Sequence, residues 1–203
     1  MTTETLYRPW GTPLPDFWAT EPAPQDALLG MGTSETVPDA PPAYKDRVVR
    51  VVRHTASGDP RQLDQAAAEG ERLDEEITAE YGEDHPHTVS IRELRGWVCH
   101  TAGLHPSAVR WYLHTTRSWA RTAGADSPQA EASALRAAGI WQHVTDTAEA
   151  AALGAELRPL LAEVLGAHSQ VSRFMHRRLA DLDRGAQPMT PKGQPDRSAR
   201  AVS

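Results

Sequence analysis

Cysteine is almost missing from this chain: Cys99 stands alone among 203 residues. A single thiol excludes a disulfide within the chain and denies it a cysteine-rich zinc site. Lysine is nearly as scarce, with Lys45 and Lys192 against 19 arginines (21 − 2 = 19), a bias read as that of a GC-rich bacterial coding sequence. No apolar run approaches the roughly 18 residues of a membrane span, and the start lacks the charged, apolar and small-residue succession of a secretory signal. A cytoplasmic protein without a membrane partner is expected. No phosphate-cradling Gly-rich loop, paired C-x-x-C or H-E-x-x-H is present, so no enzyme and no cofactor are expected either.

Positive charge is also short. The formal charge is −6, and it is unevenly placed. Residues 1–43 hold one basic and six acidic groups, net −5; residues 183–203 hold four basic and two acidic, net +2, which leaves −3 for the middle. A nucleic-acid surface needs clustered positive charge, so nucleic acid is not an expected partner. Hydrophobic content of 39% is low for a chain folded from end to end, and disordered termini over 1–43 and 183–203 are expected around a folded middle, 44–182.

What the chain does have is a repeat. Gly82, Gly124 and Gly166 are evenly spaced (124 − 82 = 42; 166 − 124 = 42), and the text around them reads YGEDHPHT, AGADSPQA and LGAHSQVS. A fixed period of this size marks stacked structural units. Each glycine can end a helix in the left-handed conformation, the following Asp or Ser can cap the next helix, and proline suits its first turn. The expected helices are 44–56, 61–80, 86–102, 106–123, 128–145, 147–165 and 169–182. Val48, Val49, Val51 and Val52 would suit a strand by propensity, but the repeat requires a helix there as partner to the next. Leu63, Ala66, Ala67, Leu73 and Ile77 form one broad apolar face, and Ala108 is small enough to let two backbones approach. Pro159 should kink or end its helix. Val171, Phe174, Met175, Leu179 and Leu182 give the last helix one apolar side, as suits a cap that closes a stack.

Residues 61–131 resemble the tetratricopeptide repeat of the kinesin light chain type. That family's linker reads Gly-x-Asp-His-Pro-x-Thr, and Gly82-Glu83-Asp84-His85-Pro86-His87-Thr88 fits every defined position. Gly103, Ala108, Tyr112 and Gly124 extend the likeness, which weakens over the third unit. The usual period is about 34 residues; the longer one here implies a longer second helix and linker. Register counted from Ala108 puts the family's large apolar sites at Arg92 and Arg95, whereas the apolar residues are Ile91 and Leu94, so either the helix is rotated or the turn holds an extra residue. The resemblance implies an all-α fold, a short right-handed superhelix of about three helix pairs plus a capping helix.

Stacked pairs produce a concave surface lined by the first helix of each pair, and the resemblance implies that this surface holds a partner peptide or protein. The candidate contacts are Arg47, Arg50, Glu93, Trp97, His100 and Gln142. Arg47, Arg50 and Arg53 could instead pair with the acidic helix that follows them. In the proline-rich start, Trp10, Phe17 and Trp18 could anchor the arm on another protein or pack on the chain's own domain. Cys99, His100, His105 and His114 match no metal-ligand spacing, and Cys99 reads as a small half-buried hydrophobe. An adaptor or scaffold is therefore expected, with a structural subunit of a larger assembly as the alternative. So short a stack also makes self-association plausible.

Overall fold

A computed structural model describes residues 40–186 of the chain. Trp10, Phe17, Trp18 and most of the two terminal segments lie outside them. Seven α-helices follow one another: α1 (Lys45–Ser57), α2 (Pro60–Tyr81), α3 (Pro86–Thr101), α4 (His105–Thr122), α5 (Pro128–Trp141), α6 (Thr147–Leu165) and α7 (Gln170–Ala186). No strand occurs among the described residues, and the valine-rich segment around Val48 to Val52 is helical. Its inward side, Val48, Val51 and Val52, is buried, so packing overrides β propensity.

Each helix packs on the next, and the short connections between them enforce antiparallel neighbours. Contacts also run α1 to α3, α4 to α6 and α5 to α7, so consecutive pairs lie against one another. Three apolar clusters result. Val48, Val51, Leu73, Ile77, Ile91 and Leu94 join α1, α2 and α3. Tyr112, Leu113, Trp141, Leu153, Leu157, Leu161 and Met175 join α4 to α7. The smallest, Val89, Trp119 and Ala130, comes from α3, α4 and α5. Ile91 and Leu94 thus form the inward edge of α3, at 0% and 1% exposure, and Arg92 and Arg95 flank it.

The three evenly spaced glycines end helices with positive φ: 91° at Gly82, 103° at Gly124 and 85° at Gly166. At the first and the third of them the left-handed helical cap expected there is not what forms. With ψ of 163° at Gly82 and 142° at Gly166, the backbone enters an extended positive-φ region that is essentially closed to residues with a Cβ. In all three linkers the amide three residues on donates back to the glycine carbonyl, at 3.4, 3.1 and 3.1 Å for His85, Ser127 and Ser169. The caps are those same residues. His85 Nδ1 accepts from the His87 amide, Ser127 Oγ from Ala130 and Ser169 Oγ from Ser172. Asp84 does not cap; it pairs with Arg121 instead.

Three further expectations are corrected. Helix α6 runs through Pro159 to Leu165; Pro159 and Ala155 are both exposed, so the carbonyl deprived of its amide can be hydrated. Helix α5 stops at Trp141 rather than Thr145, because the His143 and Val144 amides turn back to Ile140 and Trp141. On α2, Ala67 is exposed, and Gly70 and Asp74 take inward positions.

Candidate functional site

Helices α3 and α5 are enclosed by their neighbours, and no residue of α3 is fully exposed. Along α3 the half-buried side chains include Trp97, His100 and Thr101, on adjoining turns. Trp97 packs against the first apolar cluster. Gln142, 42 residues after His100 (142 − 100 = 42), is half-buried at the end of α5. Its Nε2 meets no acceptor among the described residues, and its carbonyl accepts from Arg178 Nη2 at 3.2 Å. Arg50 is exposed on α1.

Arg47 and Glu93 have other work. Arg47 Nε donates to Glu69 at 2.6 Å and its Nη1 to Glu76 at 2.5 Å, binding α1 to α2. Of the two readings of the basic stripe, pairing with the acidic helix describes Arg47. The Arg47 guanidinium holds the carboxyls of Glu69 and Glu76 below the usual range. Glu93 is only 1% exposed. The Trp119 indole N–H donates to its Oε1 at 3.0 Å, and Arg136 Nη1 lies 3.8 Å from Oε2. It is an interior anchor between α3, α4 and α5, out of a partner's reach. Sequence periodicity misplaced it because a carboxylate on a helix normally signals solvent.

A second polar centre was not expected. Asp74 on α2 accepts from Arg92 Nε at 3.0 Å and Arg95 Nη1 at 2.5 Å, both on α3. Arg95 lies 4.3 Å over the Trp111 ring, and Arg92 Nη1 is 2.9 Å from His114 Nε2, both on α4. Burial, then the Arg92 charge, depress the His114 pKa. The two arginines beside the apolar edge of α3 therefore build a charged joint across three helices.

The third centre is a histidine cluster. The rings of His100, His105 and His143 lie with centres 5.3 to 6.0 Å apart. His100 Nδ1 and His105 Nδ1 are 3.3 Å apart. Burial first, then the two neighbouring imidazoles, push the His100 pKa down to about 4. Neither Cys99 nor His114 belongs to this cluster. Cys99 packs half-buried against the second apolar cluster, where burial raises its pKa, and a thiol held protonated is a poor nucleophile. His143 was missed although the period pointed to it: subtracting 42 places it level with Thr101, next to His100.

Among the described residues no helix is long and apolar enough to cross a membrane. Comparison of the chain with protein-family models, with curated proteins and with solved structures finds no match in any of the three. The described residues thus define an all-α fold of packed helix pairs.

Proposed function

We propose that this chain is a non-enzymatic interaction module of the cytoplasm, an adaptor or scaffold built on the tetratricopeptide plan. In this reading the pairs α1–α2, α3–α4 and α5–α6 form a short right-handed superhelix, α7 caps it, and the face of α1, α3 and α5 holds an extended peptide of a partner protein. Arg50, Trp97, His100 and Gln142 line that face. The observation that carries the proposal is the repeated linker, the same turn three times at one 42-residue interval, which would set successive pairs at a constant offset and generate a shallow groove. Half-buried Trp97 supplies the aromatic surface such a groove needs.

The alternative, a structural subunit with a permanent helical interface, is less well supported. Among the described residues Leu104 is the one exposed large hydrophobic side chain, whereas permanent interfaces resemble a core cut in half. Site-specific photo-crosslinking separates the two readings. With the crosslinker at Trp97 or Arg50, one partner peptide should be trapped in native-host lysate, and with it at exposed Arg72 on α2 none should be. Equal trapping at all three positions removes the groove from the proposal, and an obligate complex in light scattering favours the subunit reading.

A further inference from the structure

The three imidazoles of His100, His105 and His143 reach one place from three elements. His100 sits on the last turn of α3, His105 begins α4, and His143 lies in the turn that follows α5. Ring centres are separated by 5.3 Å for His100 and His105, 5.3 Å for His105 and His143, and 6.0 Å for His100 and His143. Zinc bonds imidazole nitrogen at about 2.0–2.1 Å with tetrahedral geometry, which sets two ligand nitrogens about 3.4 Å apart and their ring centres roughly 5 Å apart. The Nδ1 atoms of His100 and His105 are 3.3 Å apart.

As the rings stand that separation serves a hydrogen bond between them, and it also equals the spacing of two nitrogens on one tetrahedral ion. As they stand, the three rings are not set to hold a metal ion, nor is any other group of three such side chains among the described residues. His143 is exposed and outside α5, so its ring can turn about its own side-chain bonds without disturbing a helix.

We propose that His100, His105 and His143 form a binding site for a divalent transition-metal ion of the zinc type, with His143 swinging in as the third ligand. An all-imidazole set selects zinc, nickel or copper over magnesium or calcium, which require oxygen donors. A fourth position is left to water or to a partner's side chain. The bound ion would brace the α3–α4 turn against the α5–α6 turn, tying the second helix pair to the third. This assignment stands apart from the peptide reading, since it rests on the geometry of the rings.

The test uses the full chain without a histidine tag, stripped with chelator and titrated with zinc chloride by calorimetry. One zinc per chain should bind, and the melting temperature should rise with zinc. His143→Ala, whose side chain is exposed, should fold as the parent in chelator and bind zinc about tenfold more weakly or worse. His105→Ala should do the same, and His87→Ala, in the separate Tyr81–His85–His87 ring cluster, should change nothing. Cobalt(II) gives a second readout: the wild type should show the intense visible bands of a tetrahedral ion and His143→Ala should not. Absence of binding, binding that survives His143→Ala, or equal loss in His87→Ala each overturns the site.

Discussion

Thr88 and Ser172 perform the same act 84 residues apart (172 − 88 = 84, two periods). Each hydroxyl donates to the carbonyl of the glycine six residues before it, Thr88 to Gly82 at 2.7 Å and Ser172 to Gly166 at 2.9 Å. The first and third linkers are thus closed by the same side-chain bond as well as the same backbone turn. In the middle linker the matching residue is Ala130, fully buried and unable to make it.

Thr88→Val and Ser172→Ala should each cost about 1 kcal/mol, the net worth of one hydrogen bond, since each glycine carbonyl keeps its backbone amide partner. Ala130→Ser should be neutral or stabilising by up to about 1 kcal/mol, because it supplies the bond the middle linker lacks. Urea titration followed by circular dichroism measures all three. A clear loss on Ala130→Ser would show that the linkers are not equivalent.

Gly154→Ala should destabilise by about 1–3 kcal/mol. A Cβ there would sit 2.6 Å from Leu179 Cδ2 and 2.8 Å from Trp141 Cζ2. The leucine can swing away. The indole cannot, since its N–H is bonded to the Ala150 carbonyl at 2.8 Å and Arg178 lies 5.1 Å over its ring. Thermal melting of the variant against Gly70→Ala, where a Cβ would meet only Arg95 Cγ at an ordinary 3.4 Å, reads the effect.

Asp74→Ala should be the most damaging single surface-to-core change on α2, costing about 2–4 kcal/mol, below the upper range for buried pairs because Arg95 is partly solvated. It leaves Arg92 and Arg95 facing each other without their shared carboxylate. Arg95→Ala should cost less, as Asp74 keeps Arg92. A double-mutant cycle in chemical denaturation measures the coupling, and additive losses would show that the joint contributes no specific energy.

Acid should weaken the fold before the carboxylates titrate. His114 has a folded pKa below its unfolded value of about 6.5, so between the two the unfolded chain binds more protons. Stability is then full above the unfolded pKa, declines as pH falls below it, and levels off below the folded pKa. Melting temperatures measured from pH 7 to pH 5 should fall for the wild type and fall less steeply for His114→Gln. Parallel slopes would show that His114 does not carry the effect.

The helices and their punctuation were legible in the sequence because they depend on local quantities. Gly82, Gly124 and Gly166 recur where φ must be positive, and proline occupies the first turn of α2, α3, α4 and α5. Such requirements act within a few residues, and one string of letters displays them. The 42-residue interval then implied helix pairs of equal size, which settled Val48 to Val52 as helix where propensity alone favoured strand.

Which polar side chains would go inside was decided only by tertiary structure. Glu93 and Arg47 read as groove residues, yet one is sealed under Trp119 and the other is spent between Glu69 and Glu76. Asp74 is one of several carboxylates on α2, and only the packing of α3 brought two guanidiniums to it. His143 joined His100 and His105 because α5 ends at Trp141 and its chain turns back. Burial and partnership arise from the faces that neighbouring helices turn toward one another, and no residue carries that information by itself.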